Sequence, residues 1–223
     1  MPSPARTSEA PELPAQTASQ PPVASGAGLY PLFLKLAGRK VLVVGGGPVA
    51  VAKVAALLEA GAEVAVVAPE LRPELLDLAT VGKISLARRY YESGDLVGVW
   101  LVVAAAPPEV NQLVAAAAAS LRLFVLAVDD TSAASAYGAG TFRRGNVTVA
   151  VSTNGRAPAL AGLLREGLEA MLPDDLGAWS EEADRQRAVW KADRVPMAER
   201  RPRLLEALNA LYAARAPGAK AMR

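Results

Sequence analysis

From residue 41 onward, short runs of β-branched and aliphatic residues alternate with longer stretches whose apolar positions recur at helical spacing. The run VLVV at 41–44 is continuous and apolar, as a strand covered on both faces requires. The stretch 48–60 has helical periodicity and stops at Gly61, a residue type that ends helices because it enters the left-handed region without strain. By the same reading 63–67 is a second strand, 72–80 a short helix, 83–89 a third strand and 98–106 a fourth. Residues 107–122 form a helix with proline near its start, and 123–130 a fifth strand that ends in Asp129 and Asp130. Alternating strands and helices with short links argue a parallel sheet with right-handed crossovers.

The pattern changes after Asp130. Residues 135–155 read as strand, turn, strand, with RRGN as the turn and Val147, Val149 and Val151 on one face. Three helices follow: an amphipathic one over 157–172, one over 172–193 with Asp174 or Asp175 as its N-cap, and one over 197–215. Residues 1–27 are rich in Pro, Ala and Ser and cannot bury enough surface to offset the entropy of ordering, so a disordered tail is expected there, and a frayed one at 216–223.

Composition narrows the chemistry. The 223 residues carry a net charge of +2, and 52% are apolar. The charges are scattered, with no basic stripe interleaved with aromatics, which argues against a nucleic-acid partner. There is no Cys, hence no disulfide and no thiolate chemistry, and no His, hence no Ser-His-Asp triad, His-ligated zinc or imidazole base. Proton transfer falls to Asp, Glu, Lys, Tyr or water. No apolar run approaches the roughly 20 residues that span a bilayer, and the N-terminus has no secretory h-region, so a cytoplasmic enzyme without a membrane partner is the expectation.

Between the first strand and first helix stands Gly45-Gly46-Gly47-Pro48-Val49-Ala50, in which Gly45, Gly47 and Ala50 fit G-x-G-x-x-G/A. In that pattern the first glycine makes the turn, the second admits a pyrophosphate, and the small third residue lets helix and strand pack closely. The phosphates lie at the helix N-terminus, where free N–H groups and the dipole favour anions. Strand, glycine turn, helix and strand in this order make a Rossmann-type dinucleotide-binding unit. The acid that usually ends the second strand and binds the ribose is missing: Ala68 stands there, and Arg72 is the nearest candidate for a 2′-phosphate. These residues alone leave NAD and NADP both open.

The stretch 29–69, LYPLFLKLAGRKVLVVGGGPVAVAKVAALLEAGAEVAVVAP, resembles the N-terminal module of siroheme synthase, the precorrin-2 dehydrogenase / sirohydrochlorin ferrochelatase family. VAAAPPEVNQ, LAVDDTSAASA and VAVSTNGRAPALAGLLRE match later family segments in the right order, so the likeness runs over about 29–200. It implies NAD-dependent oxidation of precorrin-2 to sirohydrochlorin, with ferrous iron as a second substrate in some members. It also implies a homodimer: a Rossmann domain at 28–130, a dimerisation region at 131–172 and a helical domain at 173–215. The family commonly lacks the strand-end acid and still uses NAD. The competing reading is a non-catalytic NAD- or tetrapyrrole-binding dimeric module derived from the same family.

On this resemblance Asp129 is the catalytic acid, and Asp130 the turn or helix capper. Gly45, Gly46, Gly47, Pro48, Val49, Ala50, Ala68, Ala105 and Asn111 are the cofactor-binding set. For Asn111 an exposed helix position is the bland alternative. Ser152, Thr153, Asn154, Gly155 and Arg156 are the substrate-binding set, with capping of the following helix as their alternative role. Precorrin-2 carries eight carboxylates, which makes Arg143, Arg144, Arg156 and Arg165 candidate cations. The chain departs from the family pattern at Leu126, Thr131, Ala136 and Ala139. These departures bear on iron insertion more than on the fold.

Overall fold

The computed structural model describes residues 28–128, 130 and 132–215. The two expected tails, Asp129 and Thr131 lie outside the described residues. By its contacts the chain divides into one unit up to Ala136 and a second from Tyr137 onward.

In the first unit β1 (Lys40–Val44), β2 (Glu63–Val67), β3 (Ser85–Ala87), β4 (Leu101–Ala104) and β5 (Phe124–Ala127) form one parallel sheet in the order β3-β2-β1-β4-β5. The order reverses between β1 and β4, and open α/β sheets bind ligands at the carboxyl ends of the strands at such a switch point. Successive side chains on a strand point to opposite faces, so β1 feeds two cores. Val41 and Val43 join Ala50, Val54 and Leu57 of α1 (Pro48–Glu59) and Leu75 of α2 (Pro73–Thr80). Leu42 and Val44 join Val114 and Ala118 of α3 (Pro108–Ser120), with Leu96 from a short 3-10 turn (Ser93–Leu96). Burial on both faces explains why 41–44 is apolar throughout.

Three strands are shorter than their apolar runs suggest. β3 is an edge strand paired only along Ala65–Val67, so it spans three residues within the expected 83–89. β4 stops at Ala104, because the chain turns there into Pro107 and Pro108. β5 stops at Ala127 rather than Asp130; the Val128 N–H still donates to the Ala104 carbonyl (3.0 Å), but Asp130 lies beyond the strand. Ser135 and Ala136 keep the following segment on the sheet: both N–H groups donate to the Val125 carbonyl (2.9 Å each), and the Ser135 hydroxyl accepts the Val125 N–H (2.8 Å).

The second unit is an antiparallel hairpin, β6 (Gly140–Arg144) and β7 (Val147–Val151), followed by α4 (Pro158–Met171), α5 (Leu176–Ala192) and α6 (Met197–Arg215). Gly145 and Asn146 are the two turn residues, with Gly145 at φ +56. A Cβ on Gly145 would lie 2.6 Å from the Gly177 Cα, so the hairpin tip rests on the first turn of α5 backbone to backbone. α4 packs on both strands of the hairpin, and α5 packs on α6. Asp175 is the N-cap of α5, but its side chain makes no capping bond to the helix. Pro202 lies inside α6, near its start.

Candidate functional site

At the switch point a cleft of about 580 Å³ opens over the carboxyl ends of β1, β2 and β4. That volume lies within the range of small-molecule and cofactor sites. The glycine turn forms its floor. Gly45 sits at φ +124 and donates its N–H to the Val67 carbonyl (3.0 Å); a Cβ there would lie 2.1 Å from the Ala105 carbonyl oxygen. A Cβ on Gly46 would lie 2.0 Å from the Glu70 carbonyl oxygen. Gly47, by contrast, has no heavy atom within 4 Å of the place its Cβ would take. The first two glycines are required by neighbouring backbone, while the third leaves room on the open side of the turn.

Gly47 is the N-cap of α1, Pro48 opens the helix, and no acidic residue stands in its first turn. The N–H groups of Val49 and Ala50 have no partner within the helix by its geometry, and the positive end of the helix dipole is uncompensated. These features fit the pyrophosphate of a dinucleotide. Of the expected cofactor set, Gly45, Gly46, Gly47, Ala68 and Ala105 line the cleft together. Pro48 and Val49 are exposed residues beside it, and Ala50 is buried behind it, where it lets α1 approach the sheet.

Asn111 is not the exposed helix position of the alternative reading. It is 2% exposed, and its Oδ1 accepts the Ala106 N–H (3.1 Å). It braces the turn between β4 and α3 from behind the cleft wall. A polar residue in a helical pattern does not announce such a bond, which is why its burial was missed.

Three other residues reach the cleft without a sequence signal of their own. Glu70 lines it from the β2–α2 loop, two residues past Ala68. Tyr90 and Tyr91 line it from the loop after β3. The Tyr91 hydroxyl is buried with no hydrogen-bond partner among the described residues, and burial raises its pKa; Ser93 is near enough to ease that shift without making a bond of normal geometry. The loop behind it is held by a bidentate pair. Arg89 Nη1 donates to Asp95 Oδ2 (2.9 Å) and to the Tyr90 carbonyl (2.9 Å), and Arg89 Nη2 to Asp95 Oδ1 (2.5 Å). Asp95 also accepts the Glu92 N–H, and Arg89 holds its carboxyl below the ordinary value.

At the end of β5, Asp130 is committed to its own turn. Its Oδ1 accepts the Ser132 hydroxyl (2.5 Å) and the N–H groups of Ser132 (3.0 Å) and Ala133 (3.1 Å). These bonds, led by that of Ser132, hold its carboxyl below the ordinary value. Leu126, where the family pattern has Asn, packs against the α1 side of the core.

In the second unit Ser152, Thr153, Asn154, Gly155 and Arg156 join β7 to α4. The Thr153 hydroxyl accepts the Ala157 N–H (3.2 Å) and donates to the Ala157 carbonyl (2.9 Å), tying the loop to the N-cap of α4. Ser152 Oγ accepts the Asn154 N–H (3.2 Å), and Asn154 and Gly155 sit at φ +56 and +72. Asn tolerates that region better than most residues, and Gly enters it freely. Thr153 is thus a structural tie, whereas Ser152, Asn154 and Arg156 are exposed. Among the candidate cations, Arg144 pairs with Asp174 (3.1 Å) and Arg165 with Glu166 and Glu169. Arg143 donates to the Thr148 hydroxyl (3.3 Å), and the Arg156 guanidinium has no partner among the described residues.

Comparison with known proteins agrees with this geometry. Residues 32–138 match a family model described as NAD(P)-binding, and residues 144–171 match the model of the central region of sirohaem biosynthesis proteins. Siroheme synthase 3 of Aeromonas hydrophila is 46% identical over 172 residues, covering 77% of this chain and 37% of that protein. The siroheme synthase of Neisseria meningitidis serogroup C is 41% identical over 186 residues, covering 83% of this chain and 39% of its own length. The chain thus spans little more than a third of the length of the curated relatives it matches. A solved structure of SirC, precorrin-2 dehydrogenase, superposes with a TM-score of 0.64 at 25% identity, covering 83% of this chain and 92% of that one. By these matches the chain belongs to the siroheme synthase / precorrin-2 dehydrogenase family, matching one module of the longer members.

Proposed function

We propose that this chain is a precorrin-2 dehydrogenase, oxidising precorrin-2 to sirohydrochlorin with NAD in the switch-point cleft. The observation that carries the reading is the cleft itself: a glycine turn open at Gly47 and a helix N-terminus without acidic neighbours, on a chain similar to SirC over most of its length. Bound NAD supplies the acceptor for the hydride that leaves the macrocycle. The chain's share is to orient the two and to take the accompanying proton. With no His in the sequence a carboxylate is the natural base, and Asp129 fills that role in this reading. Its neighbour Asp130 supports the assignment by being engaged in its own turn.

The exposed side chains of Ser152, Asn154 and Arg156, with Arg143, suit the carboxylates of the substrate. The homodimer belongs to the same proposal. α4 exposes Leu160, Leu163, Leu164, Leu168 and Met171, a row at helical spacing that a second copy would cover. No helix among the described residues is long and apolar enough to cross a membrane, and a cytoplasmic location is part of this reading.

The test is anaerobic: the purified chain is mixed with enzymatically generated precorrin-2, with and without NAD, and the visible spectrum is followed. The reading expects a sirohydrochlorin spectrum only where NAD is present. Ferrous iron added afterwards decides whether the product is also metallated. NAD binding with precorrin-2 left unchanged would favour the non-catalytic module instead.

A further inference from the structure

Ribose recognition is the part of dinucleotide binding for which the end of β2 offers no residue. Ala68 occupies the usual place of the acid and is 3% exposed. Two residues on, Glu70 is exposed on the cleft wall, and no group among the described residues is bonded to its carboxylate. Its backbone is fixed from two sides. The Glu70 carbonyl lies over Gly46, the one place where a Cβ would come within 2.0 Å of it, and the Arg72 N–H donates to the Gly46 carbonyl (3.0 Å). On the other side Arg88, just past β3, donates its Nε to the Pro69 carbonyl (3.4 Å). The loop 69–72 is therefore tied to the glycine turn, which fixes the backbone of Glu70 beside it.

Two cations near this edge already have neighbours. Arg72 is the N-cap of α2, and its guanidinium lies 3.7 Å from the Glu74 carboxylate. Arg88 donates its Nε to the Pro69 carbonyl.

We propose that Glu70 replaces the missing strand-end acid: its carboxylate accepts the hydroxyls of the adenosine ribose and repels a 2′-phosphate, so that the cleft selects NAD over NADP. This rests on the proposed function only in taking the cleft's ligand to be a dinucleotide. A carboxylate is an acceptor with two oxygens, suited to a diol, and a like charge placed against it is strongly disfavoured.

The test is calorimetric titration of the full chain with NAD and with NADP, for the wild type, Glu70→Gln and Glu70→Lys, with melting curves to show that each is folded. The wild type should prefer NAD by about tenfold or more. Glu70→Gln should bring the two within roughly threefold, by tighter NADP binding, and Glu70→Lys should invert the preference. Equal affinities in the wild type, or an unchanged preference in both variants, would overturn the assignment while leaving the dehydrogenase intact. If neither dinucleotide binds the wild type, this inference and the cofactor of the proposed function fall together.

Discussion

At the scale of single residues the three glycines separate folding from binding. Gly45 combines a left-handed φ with a neighbouring carbonyl 2.1 Å from where a Cβ would stand. Gly45→Ala should therefore lose about 2–5 kcal/mol of stability, from backbone strain and overpacking together. Gly47 has an ordinary φ of −83 and open space around it. Gly47→Ala should keep its stability within about 1 kcal/mol yet weaken NAD binding about tenfold or more, because the new methyl occupies the side a pyrophosphate must approach. Melting curves and titration of the two variants check this; a Gly47→Ala protein that binds NAD like the wild type would move the phosphate site elsewhere. The motif was legible in the sequence because glycine spacing reports backbone constraints directly. Glu70 was not, because the ribose rule reads the last residue of the strand, and the path of the next loop is set by a backbone contact to Gly46 that no spacing encodes. The burial of Asn111 was not legible for a related reason, since its partner is the N–H of Ala106 on the turn before its own helix.

At the scale of elements, the order of strands and helices could be read from periodicity, but strand ends could not. Apolar runs continue past the last residue of the strand, as at the half-buried Ala105 and Val128, whose N–H groups still bond to the neighbouring strand. The loop carrying Tyr90 and Tyr91 depends on Arg89 and Asp95, whose side chains are 41% and 12% exposed. The Asp95 carboxyl is held below its ordinary value, mainly by the hydrogen bonds from Arg89. Its contribution is thus fully present above the unfolded value of about 4 and is lost as pH falls through the lower folded value. Asp95→Asn should lower the melting midpoint at neutral pH by roughly a few degrees and flatten the acid limb of the stability curve. An acid limb identical to that of the wild type would contradict the pairing. In the second unit the apolar row of α4 gives an expectation that belongs to the proposed homodimer: Leu164→Glu should turn that dimer into a monomer by light scattering while leaving the helical content unchanged. A wild type that is monomeric at high concentration would remove the dimer from the proposal.

At the scale of the whole molecule, two units carry the two halves of the reading: a dinucleotide cleft in the first, and in the second a tied loop with exposed polar side chains. The bland alternative of a binding module shares the fold, since fold alone never fixes chemistry. What separates the two is transfer of a hydride and a proton, which needs a base as well as a cofactor. The most direct measurement is NADH fluorescence in a single anaerobic turnover with enzyme in excess over precorrin-2, for the wild type beside Asp129→Asn, with NAD affinity measured for both. The account predicts NADH formed in step with sirohydrochlorin in the wild type, and loss of that signal in Asp129→Asn at unchanged NAD affinity. No NADH from a wild type that binds NAD would contradict the dehydrogenase, and full turnover by Asp129→Asn would contradict the base.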